Sequence, residues 1–232
     1  MFLSKGLSMT NPSKRAMVIV TGDDVDHDLL SAAPFFAKLA AQAGFVTTAA
    51  AGLQRFINPF LVTRQQDIFL FYKAGGEFSP EQQAEFAALI RGGKGLLAIH
   101  CSNVLGAVDA DTVPNFRGYF EVLGNRYLSH GPGHHQGPQT IEIVAQHPIT
   151  DGVTDFDLFD EFYEFEPYDD DFVVLAQRRR NEDGAVIPVL YSREFGDGRV
   201  VYFASGHDFR AWGQPSFQKL VRQSLAWIAH ES

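Results

Sequence analysis

Gly95-Leu-Leu-Ala-Ile-His100-Cys101 is the most informative segment of the sequence, because a short apolar run ends abruptly on an imidazole and a thiol. The helix predicted just before it is sharply bounded, with Ser79 as N-cap, Pro80 at the first helical position and Gly92 as terminator. A strand that follows a helix in this way is typical of a parallel sheet, whose ligand crevice lies beyond the carboxyl ends of the strands. We therefore expect His100 to point into a binding crevice.

Strands and helices alternate on both sides of this stretch, which predicts βαβ units and a doubly wound α/β sheet. Later turn signals, Asn181-Glu-Asp-Gly184 and Gly196-Asp-Gly198, predict an antiparallel meander instead. The segment 129–138, rich in glycine and histidine, is expected to be a loop. The predicted elements are strands at 17–20, 45–50, 67–72, 95–100, 140–145, 172–177, 186–191 and 199–204, and helices at 29–43, 79–91, 116–123 and 215–229.

The composition fits one globular domain. The 232 residues are 45% hydrophobic, and we expect residues 1–15 to be a loose tail and residues 16–232 to form a single domain. The net charge of −9 argues against a nucleic acid or a membrane surface as partner. The basic run 178–180 is expected to be a solvated hairpin end. The single cysteine and the lack of a signal or membrane-spanning segment favour the cytoplasm.

Histidines occur where strands of the predicted sheet end. His27, His100, His130 and His207 all fall at positions where a parallel sheet opens its crevice. Imidazole is both a common metal ligand and a good base near neutral pH, so this convergence fits either role. Of the remaining histidines, 134 and 135 share the loop of His130, and 147 and 230 are expected to be structural or incidental.

Glu161 is the carboxylate that we expect at the same crevice. It lies in Asp160-Glu-Phe-Tyr163, and an acid held against aromatic rings would have a raised pKa, which suits an acid or a base. The alternative is a solvated acidic turn.

Metal and nucleophile motifs are weak. There is no His-Glu-x-x-His, and the Asp-rich segment 24–28 lacks the glycine of a calcium loop. A divalent metal such as zinc is a candidate cofactor, with His27, His100, His130 and His207 as tentative ligands. The glycine pattern at 131–137 does not match a dinucleotide fingerprint, so no nucleotide cofactor is expected. Cys101 is expected to be buried and inert.

Four motifs, in this order, resemble those of ThuA-like proteins, the trehalose-utilisation family. They are the strand ending in His100, His147-Pro-Ile-Thr-Asp-Gly152, Asp160-Glu-Phe-Tyr163 and Gly198-Arg-Val-Val-Tyr-Phe-Ala-Ser-Gly-His207. The resemblance covers about residues 16 to 230. It implies a flavodoxin-like, class I glutamine amidotransferase-like fold, a three-layer α/β/α arrangement with a mainly parallel sheet and an antiparallel extension. The amidotransferase His-x-Glu pair is absent, and His100 takes the place of the nucleophile.

The resemblance also implies breakdown of trehalose or a related disaccharide, with a keto sugar as the candidate substrate. We expect a hydrolase- or lyase-like enzyme, not a glutaminase, with His100, Glu161 and His207 as catalytic residues. His130, Tyr163 and Trp212 are the expected substrate-binding residues. The expected partner is a small-molecule sugar, and exposed edge strands favour a homodimer. The alternatives are a non-catalytic sugar-binding or regulatory module and a degenerate amidotransferase-like hydrolase using Cys101.

Overall fold

The computed structural model of the protein describes residues 13–22, 25–57, 62–104 and 116–231. Most of the predicted tail therefore lies outside the described residues, and the first strand already begins at Arg15. Within the described residues no helix is long and apolar enough to cross a bilayer.

A nine-stranded sheet forms the centre of the molecule, with the order β2-β1-β3-β4-β11-β10-β9-β6-β7. A second sheet pairs β5 with β8. The strands are β1 Arg15–Gly22, β2 Val46–Ala51, β3 Ile68–Ala74, β4 Gly95–Ile99, β5 Asn125–Ser129, β6 Gln136–Ile143, β7 Phe156–Glu161, β8 Glu164–Pro167, β9 Val173–Arg179, β10 Val186–Phe195 and β11 Gly198–Phe203. The helices are α1 Leu29–Gln42, α2 Pro80–Arg91, α3 Arg117–Leu123, α4 Phe209–Trp212 and α5 Pro215–Ile228.

The strand pairing of the large sheet changes from parallel to antiparallel at β11. The strands β2, β1, β3, β4 and β11 pair in parallel, whereas β10, β9, β6 and β7 continue the sheet with antiparallel pairs. This arrangement confirms the predicted α/β fold with a mainly parallel sheet and an antiparallel extension.

Helices cover both faces of the parallel half. Successive residues of β3 point to opposite faces, as strand geometry requires: Phe71 stacks on Phe86 of α2, and Tyr72 packs against Phe36 of α1. Every residue of β3 is consequently buried, in agreement with its continuous apolar sequence. The three layers place the carboxyl ends of the parallel strands at one open edge.

The helix α2, which precedes β4, begins as predicted. Ser79 and Gln82 form a reciprocal capping box, in which each side chain accepts a hydrogen bond from the other residue's backbone N–H. The helix ends at Arg91, and after three intervening residues the chain enters β4 at Gly95.

Three strands were not predicted, namely β5, β7 and β8. In β7 the buried positions are Phe156, Leu158 and Asp160, so a carboxylate occupies the third inward position of an alternating pattern while Phe159 is 39% exposed. Because a carboxylate faces inward and an aromatic ring faces outward, the hydrophobic periodicity of the sequence does not predict this strand. The predicted loop at 129–138 is also shorter, because β5 extends to Ser129 and β6 begins at Gln136.

The interpretation of the basic run 178–180 as a solvated hairpin end is wrong for Arg178. This side chain is 3% exposed, donates from Nη2 to the carbonyl oxygen of Phe162 at 3.0 Å and stacks over the Phe162 ring. Its neighbour Arg179 is solvated as expected, with a side chain that is 59% exposed. Arg178 is buried because the alternation along β9 points it inward, toward the segment that follows Glu161.

Candidate active site

His100 occupies a strained backbone position at the end of β4. Its φ is +46°, in the left-handed region that residues other than glycine rarely adopt, and its side chain is fully buried. Two hydrogen bonds hold it: Nδ1 donates to the Ala204 carbonyl at 2.7 Å, and the His100 carbonyl accepts from the Tyr202 hydroxyl at 3.0 Å. Strain of this kind persists only where surrounding contacts fix the backbone, and it is frequent at functional sites.

Glu161, the last residue of β7, meets three imidazoles with one oxygen atom. Its Oε2 lies 3.2 Å from His100 Nε2, 3.2 Å from His130 Nε2 and 3.3 Å from His207 Nδ1. The ring of His27 lies 5.2 Å from that of His100 and 4.9 Å from that of His207, between centroids. The four strand-end histidines and the carboxylate named from the sequence therefore converge at one place.

Asp160 fixes the loop that carries His207. Its carboxylate accepts backbone hydrogen bonds from Gly206 at 2.6 Å, His207 at 3.0 Å and Glu161 at 2.9 Å. The same loop is held from its other side by the Tyr72 hydroxyl, which donates to the His207 carbonyl at 2.6 Å. Asp160 thus fixes the backbone of both Glu161 and His207, a contact that the sequence analysis did not predict.

The pKa values of the neighbouring carboxyl groups of Asp160 and Glu161 shift in opposite directions. Burial raises the pKa of Asp160 to about 7, against the opposing effect of its three backbone donors. Burial also acts to raise the pKa of Glu161, but the hydrogen bonds with His100 and His130 and the nearby imidazoles outweigh it and hold that pKa well below its ordinary range. The expected rise in acid pKa is therefore found at Asp160 and is wrong for Glu161.

His100 and His207 favour their neutral forms. Burial lowers the pKa of His100 to about 4, and burial also lowers the pKa of His207. Because Nδ1 of His100 donates to the Ala204 carbonyl, the contact of Nε2 with the carboxylate of Glu161 is a hydrogen bond only while Nε2 also carries a hydrogen.

The residues expected to bind substrate occupy different environments. Tyr163 is 4% exposed, and its ring lies 3.9 Å from the ring of His100 between centroids. Trp212 is 3% exposed, stacks on Phe35 and donates from Nε1 to the Gly206 carbonyl at 2.7 Å. Both rings therefore pack beneath the cluster, and Trp212 supports the His207 loop.

The sequence analysis missed two further residues, one in contact with the cluster and one close to it in the chain. The Tyr127 hydroxyl forms a 2.8 Å hydrogen bond with Nδ1 of His130. Phe209 begins α4, two residues after His207, and is 75% exposed. Its nearness to His207 in the sequence was a usable signal, whereas Tyr127 lies on the unpredicted strand β5.

The outlying histidines and Cys101 lie in distinct surroundings. His135 stacks on His130 with ring planes 11° apart, whereas His147 packs against Trp227, away from the cluster. The thiol of Cys101 is fully buried, one residue after the strained position that His100 occupies.

The three-layer sheet and its strand-end cluster define a flavodoxin-like α/β protein with a polar site at the carboxyl edge of the sheet. The model of the ThuA family, described as trehalose utilisation, matches residues 15–228. The chain belongs to this family, as the sequence motifs indicated, and membership implies a role in trehalose utilisation. No protein of curated function matches the sequence.

Solved structures support the same fold. A ThuA-like protein from Bacteroides uniformis is 15% identical and has a TM-score of 0.73, with 94% of this chain and 93% of that chain covered. A ThuA-like protein from Parabacteroides merdae is 14% identical with a TM-score of 0.75, covering 94% and 90%. A cytoplasmic protein from Salmonella typhimurium is 16% identical with a TM-score of 0.58, covering 91% and 96%.

Proposed function

We propose that this protein is an enzyme that acts on a sugar of the trehalose class, with the reacting part of the sugar bound at the histidine and carboxylate cluster. The observation that carries the proposal is the convergence of His100, His130 and His207 on Oε2 of Glu161. The family's role is trehalose utilisation, and this cluster lies at the carboxyl ends of the parallel strands, where a substrate would bind. We therefore assign the reaction to the cluster.

The chemistry available to the cluster is polarisation of an oxygen and movement of a proton. A keto group on a sugar makes the neighbouring C–H acidic, so a base can remove that proton while the glycosidic oxygen leaves with a proton from an acid. The same groups can direct a water molecule at the glycosidic carbon. A keto-disaccharide is therefore the proposed substrate, and the reaction is a hydrolysis or an elimination.

Groups suited to a sugar surround the cluster. Phe209 offers an exposed ring for the apolar face of a pyranose, the role expected for Trp212 from the sequence. Beside it, Arg210 donates to Asp208 at 2.9 Å and to Gln136 at 2.7 Å, and these polar groups suit sugar hydroxyls. Tyr163 contributes by packing against the ring of His100.

Glutaminase chemistry is disfavoured by the same geometry. The strained turn that would present a nucleophile carries the imidazole of His100, and the thiol of Cys101 is buried. We also propose a cytoplasmic location, as in the named Salmonella typhimurium protein.

The test is turnover of trehalose and of its keto derivative, followed by mass spectrometry. His100→Asn is the informative variant, because asparagine tolerates the left-handed backbone but lacks the imidazole. We expect product from the wild type and a loss of about 100-fold or more in the variant. His134→Ala, an exposed histidine on the loop of His130, is the matched control and should react like the wild type. Calorimetric binding of sugar without any product would overturn the proposal in favour of a sugar-binding module.

A further inference from the structure

Four residues of the cluster meet the requirements of a metal site. One donor atom each from His27, His100, His207 and Glu161 lies within 4.8 Å of all the others. The four residues follow or end β1, β4, β11 and β7, so the fold and not a local motif assembles them. Three imidazole nitrogens and one carboxylate oxygen are ligands that suit zinc and other first-row transition metals, whereas calcium and magnesium prefer all-oxygen sites.

The orientation of His100 directs Nε2 at the carboxylate of Glu161. A carbonyl oxygen can only accept a hydrogen bond, so the 2.7 Å contact with Ala204 requires a hydrogen of His100 on Nδ1. Nε2 is then the nitrogen that faces the carboxylate oxygen of Glu161, at 3.2 Å. A proton on Nε2 or a metal ion bound by both atoms would join this pair. A metal-bound histidine that donates its other N–H to a backbone carbonyl is a common pairing.

His207 presents the same situation on the other side of Glu161. Its Nδ1 is buried, makes no hydrogen bond within the described residues and lies 3.3 Å from the same carboxylate oxygen. Ligands bound tetrahedrally at about 2.0–2.1 Å are separated from one another by about 3.3 Å. The separations from Glu161 Oε2 to His100 and to His207 therefore match neighbouring ligands of one ion.

His130 differs from these three histidines although it touches the same oxygen. It does not belong to the set whose donors all lie within 4.8 Å of one another, and its side chain is 19% exposed. Its Nδ1 is bound to the Tyr127 hydroxyl, which leaves Nε2 directed at Glu161 from the more open side. His130 is thus placed beside the metal ligands and not among them.

We propose that His27, His100, His207 and Glu161 bind one divalent transition-metal ion, with His130 beside the ligand set and not in it. The set replaces His130 with Glu161 relative to the ligands expected from the sequence. The metal site stands independently of the sugar chemistry.

The test is metal binding by matched histidine variants. Protein stripped with a chelator is loaded with Zn²⁺ or Co²⁺, desalted and measured by elemental analysis, and its affinity is obtained by titration of the Co²⁺ absorption bands. We expect about one ion per wild-type chain and an affinity reduced about 100-fold or more in His27→Ala, since that variant removes a ligand. His130→Ala should bind the metal within a few-fold of the wild type, because His130 lies outside the ligand set.

A separate control distinguishes a variant that fails to fold from one that fails to bind metal. The melting temperature of stripped protein identifies a variant that fails to fold, and added Zn²⁺ should raise it in the wild type and in His130→Ala but not in His27→Ala. Absence of stoichiometric binding by the wild type, or wild-type affinity in His27→Ala, would overturn the site. Equal loss of metal in His130→Ala would show that His130 is a ligand. Metal binding without any sugar turnover would leave the site intact and overturn only the proposed function.

Discussion

Nε2 of His100 lies 3.2 Å from Oε2 of Glu161, although the two residues are 61 positions apart in the chain. His100 follows a central parallel strand, and Glu161 ends the edge strand of the antiparallel extension. The carboxyl end of β7 therefore lies at the carboxyl end of β4. The antiparallel extension is therefore part of the site and not an appendage to the fold.

The loop before His207 depends on a glycine. Gly206 has φ of +122°, and a Cβ placed on it would lie 2.9 Å from Ile99 Cγ2 and 3.1 Å from Phe217 Cζ. We expect Gly206→Ala to lower the free energy of unfolding by about 2–4 kcal/mol, through backbone strain and overpacking, and to lower activity by displacing His207. Gly184→Ala is the matched control, because Gly184 also has positive φ but no atom lies within 4 Å. Urea unfolding and turnover measure both variants, and full activity in Gly206→Ala would contradict this role of the loop.

Two aromatic residues near the site should respond differently to substitution. Trp212→Phe removes the hydrogen bond to the Gly206 carbonyl and should lower the free energy of unfolding by about 1–2 kcal/mol. Phe209→Ala removes an exposed ring and should leave stability within about 0.5 kcal/mol while raising KM for the sugar. Steady-state kinetics and chemical denaturation of the two variants distinguish the roles. An unchanged KM in Phe209→Ala would count against its contact with substrate.

Neighbouring arginines of β9 offer a second matched pair. Arg178→Gln removes a buried charged donor from the Phe162 carbonyl and should lower the free energy of unfolding by about 1.5–3 kcal/mol. Arg179→Gln removes an exposed ion pair with Glu142 and should cost less than about 1 kcal/mol. Thermal and urea unfolding provide the comparison. Similar costs for both substitutions would mean that the burial of Arg178 does not fix the segment after Glu161.

Cys101→Ala tests the amidotransferase-like alternative. The thiol is fully buried and follows the residue that occupies the strained turn, so we expect turnover within about 2-fold of the wild type. A small loss of stability from the missing sulfur atom is compatible with this outcome. Loss of turnover in a folded Cys101→Ala protein would support the alternative in which Cys101 is the nucleophile.

The parallel half of the fold could be predicted because its sequence signals are local. Apolar runs predict β1, β3 and β4. The helix between β3 and β4 is delimited by the Ser79 capping box and by Gly92. The edge strand β7 could not be predicted, since Asp160 faces inward and Phe159 outward along it. Its hydrophobic pattern therefore opposes its burial, and tertiary hydrogen bonds to the Asp160 carboxylate decide the outcome.

The convergence of the four histidines was predictable from the sequence, but the role of each one was not. Strand-end positions identified His27, His100, His130 and His207, because parallel strands bring their carboxyl ends to one edge. Whether a ring is a ligand, a base or packing depends on distances of a few tenths of an ångström and on which nitrogen is hydrogen-bonded. No spacing in the sequence carries that information, and the same limit applies to Trp212, whose ring turned out to be buried.

The central claim is that the cluster around Oε2 of Glu161 is the reaction centre of a sugar-acting enzyme. Glu161→Gln tests it most directly, because the substitution keeps the shape of the side chain and removes its charge. Product formed from a keto-disaccharide is measured by mass spectrometry for both proteins after circular dichroism has confirmed that both are folded. We predict product with the wild type and at least about 100-fold less with Glu161→Gln. Product formed at the wild-type rate by Glu161→Gln would contradict the claim.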